Sequence, residues 1–296
     1  MIAFTFPGQG SQKPAMGAPW KDHESWNLVA RASEVSGRDI GRLLLDTDAE
    51  ELTDTRNAQI STFVLSLVVR DAAGRAGVTP DRLAGHSLGE YSALAAGGVL
   101  SFDDGVRLVT ERGEAMAEAG RKQVGTMAAV LGLDDDVLAD VCERAAQGQV
   151  VSCANFNSPG QVVIAGDRDA VERACELATE AGARRAIPLA VSVPSHCALM
   201  APAAEGMASV LQGVEISPCR MPVLHNVDTQ VRDNADGIRS ALVQQLSQPV
   251  RWAATVAKLA ASGVLNMAEC GPGKVLTGLN RRISREITSS ALISMD

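Results

Sequence analysis

No cysteine occurs before residue 142 of this 296-residue chain, and the six beyond it (Cys142, Cys153, Cys175, Cys197, Cys219 and Cys270) form no C-x-x-C pair. That spacing argues against a disulfide framework and against a zinc site, and leaves reduced thiols in a cytoplasmic compartment as the expectation. The basic stretch and long apolar stretch of a signal peptide are also missing. The most apolar run, residues 63–69, is interrupted by Ser66 and falls far short of the roughly 18–20 residues a membrane span needs. Basic residues are outnumbered, 27 Lys and Arg against 35 Asp and Glu, for a net charge of −8. General affinity for nucleic acid or an anionic membrane is therefore not expected, although a local basic patch is compatible with it. Aromatic residues are scarce, at 3%, and no function attaches to that scarcity. With 46% hydrophobic residues, 27 Gly and 12 Pro, disordered and collagen-like classes are excluded. The length suits one large domain, or a body carrying a smaller one.

Hydrophobic patterning supplies the organisation. Residues 2–6 read as a buried strand running into the turn Pro7-Gly8-Gln9-Gly10-Ser11-Gln12. Helices are expected at 24–36 and at 58–76, where Ile60, Phe63, Val64, Leu67 and Val68 recur at three- and four-residue steps. A strand at 82–84, a sharp turn and a helix at 90–97 follow, then a helix at 103–120. From 127 the order changes to strand 127–131, helix 134–146, strands 150–154 and 161–165, helix 168–181 and strand 184–189. That βαββαβ order is the ferredoxin-like signature, here read as an insertion. Beyond it lie a helix at 196–211, a strand at 222–225, helices at 236–246 and 250–261, a strand at 264–268, and a helix after Gly271-Pro272-Gly273. Alternating strands and helices on both sides of the insertion imply a mostly parallel sheet covered by helices.

Gly85-His86-Ser87-Leu88-Gly89 matches G-x-S-x-G, a turn in which glycines let a strained strand-to-helix corner lift a serine hydroxyl into the open. The motif alone is weak. Its context, a short apolar strand before and a helix after, strengthens it, and the Leu88 N–H at the helix start would face an oxyanion formed at Ser87. Four histidines could serve as base. His86 neighbours the serine and should project away from it; His23 lies in a polar segment and should be solvated. His196, in Val193-Pro194-Ser195-His196, and His225, closing Val223-Leu224, both follow the serine; His196 is the better placed, while His225 also fits the cap of a buried strand. Arg112, with Glu111, Glu114 and Glu118 nearby, would by itself be assigned to the helix surface.

Together these residues resemble the malonyl-CoA:acyl carrier protein transacylases, the acyltransferase family of fatty-acid and polyketide synthesis. The resemblance runs nearly end to end. It includes the turn at 7–12, Gly85-His86-Ser87-Leu88-Gly89-Glu90-Tyr91, Glu111-Arg112-Gly113, Asn155-Phe156-Asn157-Ser158-Pro159-Gly160-Gln161, Val193-Pro194-Ser195-His196 and Gly271-Pro272-Gly273-Lys274. It implies an α/β fold: an α/β-hydrolase-like parallel-sheet body at 1–124 and 191–296, with an inserted ferredoxin-like subdomain at 125–190. By resemblance, Ser87 is the acylated nucleophile and His196 its base. The Gln245 main-chain carbonyl orients the histidine, and the backbone N–H groups of Gln9 and Leu88 form the oxyanion hole. Arg112 binds the malonyl carboxylate, and Gln59 and Asn155 line the cleft.

The resemblance further implies a ping-pong transfer from malonyl-CoA to the phosphopantetheine thiol of an acyl carrier protein. Coenzyme A enters as a thioester substrate, with no tightly bound cofactor, no metal, no nucleic acid and no membrane partner. Carrier proteins of this type are acidic, so Arg184, Arg185, Arg281, Arg282 and Arg285 are candidate docking charges, each otherwise an ordinary solvated residue. The competing readings are a serine thioesterase or hydrolase, a non-catalytic carrier-binding subunit, and a trans-acting polyketide acyltransferase using another extender unit.

Overall fold

The computed structural model describes residues 1–191 and 193–294. Its first two strands, β1 (Ile2–Phe6) and β2 (Arg82–Gly85), lie side by side and parallel. The next four, β3 (Gly125–Leu131), β4 (Val151–Ser158), β5 (Gln161–Asp167) and β6 (Arg185–Pro188), form a separate antiparallel sheet in the order β4-β5-β3-β6. The chain then returns to the first sheet with β7 (Val223–Leu224), β8 (Asn266–Cys270) and β9 (Thr288–Leu292), completing the all-parallel order β7-β2-β1-β8-β9. The architecture is thus an α/β-hydrolase-like parallel-sheet body with an inserted ferredoxin-like subdomain.

Each sheet has its own core. β1 is central and covered on both faces, so Ala3, Phe4 and Phe6 are fully buried and the strand reads as an unbroken apolar run. The Leu88–Ala96 helix packs against it; on β8 and on the Leu88–Ala96 and Phe102–Lys122 helices packs the Thr55–Arg75 helix, which starts where the Asp54 side chain accepts from Arg56 N and which buries residues all round. The apolar run at 63–69 lies inside this helix; among the described residues no helix is long and apolar enough to cross a membrane. The neighbouring Phe102–Lys122 helix is capped by Ser101, carries Asp103 and Asp104 in its first turn and Arg121 and Lys122 in its last, all favourable to its dipole. In the subdomain, the helices Asp135–Ala146 and Arg168–Glu180 cover one face of the antiparallel sheet, with Leu138, Val141, Ile164 and Val171 in a distinct cluster. β4 is tied to the segment ahead of the Trp252–Ala261 helix: Phe156 N donates to Val250 O, and Val250 N to Ala154 O, both at 2.9 Å.

Three local expectations differ from what is found. The helix expected from 196 begins at Ala201, after a short 3-10 turn at Ala198–Met200, because Pro202 fits only the first turn of a helix. His196 therefore stands in a loop, at φ +64°. Two short helices, Ile40–Leu45 and Ala49–Thr53, and the edge strand β9 were not anticipated; five or six residues are too few for a periodic signal. The helix expected from 58 starts three residues earlier, at its Asp54 cap.

Candidate active site

The end of β2 runs through Gly85 and His86 into Ser87, which opens the Leu88–Ala96 helix at φ 52°, ψ −112°. The corner admits only glycine on either side. A Cβ on Gly85 would stand 1.9 Å from the Gly89 carbonyl, and one on Gly89 would stand 1.9 Å from Phe6 O. Asn226, just past β7, staples the corner: its Oδ1 accepts from Ser87 N at 2.7 Å and its Nδ2 donates to Gly85 O at 2.6 Å. The strained serine is thereby held rather than merely tolerated.

Ser87 Oγ lies 2.7 Å from His196 Nε2, and His196 Nδ1 lies 2.7 Å from the Gln245 main-chain oxygen. A carbonyl can only accept, so Nδ1 carries the proton and Nε2 is free to take one from the hydroxyl. His196 is 3% exposed, and burial, reinforced by the Arg112 charge, pushes its pKa down to about 3. The imidazole is therefore neutral at physiological pH, the form a base requires.

Arg112 is buried, at 1% exposure, which corrects the surface position that its neighbours in sequence suggest. It shares the inward stripe of its helix with Val109, three residues before, and Met116, four after; that spacing is the signal by which its burial was readable. Its Nη1 donates to Gln59 Oε1 at 2.7 Å, and its Nη2 to Gln245 Oε1 at 2.9 Å and to Ser87 Oγ at 3.2 Å. The guanidinium also sits 5.4 Å over the Tyr91 ring. Among the described residues no carboxylate pairs with it and its Nε has no partner. Burial pushes its pKa down, yet an arginine stays protonated, so the site holds a fixed cation beside the serine.

The other expected residues surround this centre. Gln59 is fully buried and linked through Thr55 Oγ1 to the Gln9 side chain. Gln9 borders the cavity and Leu88 opens the elbow helix; neither backbone N–H is taken by an acceptor among the described residues. Asn155 lies on β4 and borders the same cavity, of about 420 Å³, whose opposite wall carries Met127, Ala129 and Val163. His225 does not reach Ser87: it is buried behind the elbow with its Nδ1 2.6 Å from Glu90 Oε1. His86 packs on Trp252 and its Nε2 meets Asn157 Oδ1 at 2.8 Å, so it borders the cavity rather than turning wholly away. His23 is half-buried, its Nδ1 capping a short turn by accepting from Ser25 N. Asn157, Asn226 and Glu90 were not singled out by sequence reasoning. Arg184, Arg185, Arg281, Arg282 and Arg285 are all exposed, Arg282 meeting Gln161 and Arg281 the Ser289 carbonyl. The cysteines are free thiols, and no cluster of three metal-ligating side chains occurs among the described residues.

An elbow serine, a neutral imidazole and a buried cation within one cavity define a site suited to acyl transfer. The chain belongs to the acyl transferase domain family, whose model matches residues 3–294. It is 50% identical over 296 residues to the malonyl CoA-acyl carrier protein transacylase of Escherichia coli K12, covering 98% of this chain and 95% of that one, and 45% identical to the Bacillus subtilis protein of the same name, covering 98% and 93%. Among solved structures, a malonyl-transacylase in complex with its holo type II PKS acyl-carrier protein superposes with a TM-score of 0.97 at 45% identity, covering 99% of this chain and 96% of that one.

Proposed function

We propose that this chain moves a malonyl group from coenzyme A to the phosphopantetheine thiol of an acyl carrier protein, by way of an ester on Ser87. The observation that carries the reading is a buried permanent cation with no carboxylate partner among the described residues, 3.2 Å from the serine hydroxyl. Such a guanidinium accepts the free carboxylate of malonyl through two parallel charge-assisted hydrogen bonds. An acetyl group would leave it without that partner, at a cost of about 1–3 kcal/mol or more.

In the first half-reaction His196 Nε2 takes the Ser87 proton as Oγ attacks the thioester carbonyl. The negative oxygen is met by the N–H groups of Gln9 and Leu88; in comparable acyl-transfer sites one such donor contributes roughly 3–4 kcal/mol. Collapse of the tetrahedral centre breaks the C–S bond, and His196 returns the proton to the coenzyme A thiolate. In the second half the carrier thiol gives its proton to His196 and attacks the ester, and Ser87 recovers the proton as it leaves. Gln245 O keeps the imidazole in one tautomer throughout, while Gln59 holds the guanidinium. We assign 125–190 to the subdomain and 1–124 and 191–296 to the body, and Asn155 to the cleft wall. The exposed arginines at 184, 185, 281, 282 and 285 are candidate contacts for the acidic carrier. Free thiols and a coenzyme A substrate support a cytoplasmic location.

Incubation with labelled malonyl-CoA tests the reading. Label that stays on Ser87 and moves to a carrier thiol is the expected result. Rapid release of free malonate would identify a hydrolase instead, and preference for a larger acyl-CoA would identify a different extender unit.

A further inference from the structure

Glu90 is fully buried on the elbow helix, and the reaction described above gives it no task. Its carboxylate and the Arg112 guanidinium lie on opposite sides of one amide. Gln245 Oε1 accepts from Arg112 Nη2 at 2.9 Å, while Gln245 Nε2 donates to Glu90 Oε2 at 2.8 Å and to Ser87 O at 2.9 Å. An arginine only donates, and a carboxylate and a carbonyl only accept, so the amide can stand one way round. Glu90 is itself immobilised, with Oε1 against His225 Nδ1 and Oε2 accepting from Asn226 N at 3.0 Å. Gln245 thus performs two duties from one residue: its main-chain oxygen aims His196, and its side chain aims Arg112.

We propose that Glu90, supported by His225, is a positioning residue for acyl-group selection, because it fixes the Gln245 amide in the orientation that presents an acceptor to Arg112. It supplies the counter-charge, one amide removed, to a cation that has no carboxylate of its own among the described residues, and so leaves the guanidinium able to pair with a substrate carboxylate. A glutamine at position 90 would set a donor against one of the surrounding donors, and relief comes from turning over the Gln245 amide, which then offers its NH₂ to the guanidinium. The cation would be displaced while the Gln245 backbone, and with it the histidine contact, stayed where it is.

This inference rests on the malonyl reading and is tested separately from it. The readout is the ratio of kcat/KM for malonyl-CoA to that for acetyl-CoA, which does not depend on how much of the protein is folded and active. Wild-type protein without malonyl preference would sink the functional reading itself. Given that preference, Glu90→Gln is expected to lower the ratio at least about tenfold, chiefly through KM for malonyl-CoA. Gln245→Met, which keeps the main-chain oxygen and removes the amide, is expected to lower it similarly and serves where the first variant does not fold. With Gln245 already replaced, adding Glu90→Gln should change the ratio by less than about twofold, as expected of residues acting through one path. A wild-type ratio in either single variant, or full additivity in the double, overturns the proposal.

Discussion

The two walls of the cleft are built on different principles. The body wall gathers side chains and backbone groups at the carboxyl ends of parallel strands, with Gln9 after β1, Ser87 after β2 and Asn226 after β7. Ser87 is tied to Asn226, Gln9 reaches Arg112 through Thr55 and Gln59, and the network continues from Arg112 through Gln245 to Glu90. The subdomain wall, apart from Asn155, Asn157 and Gln161, is apolar: Met127, Ala129 and Val163 border the cavity from an antiparallel sheet with its own core. One wall holds charges and protons in place through hydrogen bonds; the other supplies shape. Substitutions on the first should change chemistry by orders of magnitude, and substitutions on the second should change only which acyl group fits.

The steepest contrast comes from Ser87→Ala. Removing a nucleophile that acts as a unit with its base is expected to reduce transfer by at least about 10⁴-fold and to abolish the covalent malonyl adduct, read as the missing mass increment on the protein. Next stands Arg112→Ala. Loss of a buried, bidentate cation is worth roughly 2–5 kcal/mol, so malonyl transfer should fall by about 30- to 5,000-fold while acetyl transfer is spared or rises. Equal losses with both substrates would make the arginine a structural element and erase the distinction between a selective wall and a fitting one.

What could be read from residues alone follows the same division. The elbow was legible because its requirement is local: a strained corner demands glycine at two fixed offsets, and the demand is written into five consecutive letters. The βαββαβ order was legible because five of its six elements have seven or more residues and carry the four-residue β6 with them, whereas β9 and the helices at 40–45 and 49–53 are short and have no such frame around them. Gln245 and the N–H groups of Gln9 and Leu88 contribute backbone atoms, which leave no imprint on side-chain identity; the elbow's own geometry pointed to Leu88, and only the family resemblance pointed to Gln9 and Gln245. Arg112 looked like a surface residue because nearby glutamates in sequence suggested partners that the fold turns to solvent. Glu90, His225 and Asn226 act on one another across more than a hundred residues of chain, and no local pattern announces such a meeting.

A smaller effect is expected from pH. With its pKa depressed to about 3 by burial and by the Arg112 charge, His196 remains neutral well below the ordinary histidine range. The kcat/KM for malonyl-CoA should therefore stay level as pH falls from 7 to 5, with no titration near 6.5. The same depression has a stability consequence of defined sign. The unfolded chain takes up a proton at this histidine below about 6.5 and the native one does not, so its contribution is complete above that pH and declines as pH falls toward 3. Denaturant unfolding of wild type and His196→Ala between pH 7 and 4.5 should show a steeper acid loss in the wild type. An acid limb near pH 6.5 in activity, together with the same acid loss of stability in wild type and His196→Ala, would mean that the body wall is wetter than its geometry indicates.

The smallest change in malonyl transfer belongs to the apolar wall. Met127 is buried on β3 among apolar neighbours such as Ala154, Val163 and Leu199, so Met127→Ala is expected to enlarge the cavity while leaving the hydrogen bonds of the dyad and the guanidinium in place. One or two methylene-sized gaps in an apolar pocket are worth about 1–3 kcal/mol of discrimination. Malonyl transfer should therefore stay within about tenfold of wild type, while a branched extender one methyl larger than malonyl gains by a similar factor. Steady-state comparison of the two thioesters with a single carrier protein measures both. Should Met127→Ala instead cost as much as Arg112→Ala, the subdomain wall would be holding the reacting groups in place rather than merely bounding the acyl chain, and the two walls would be one device.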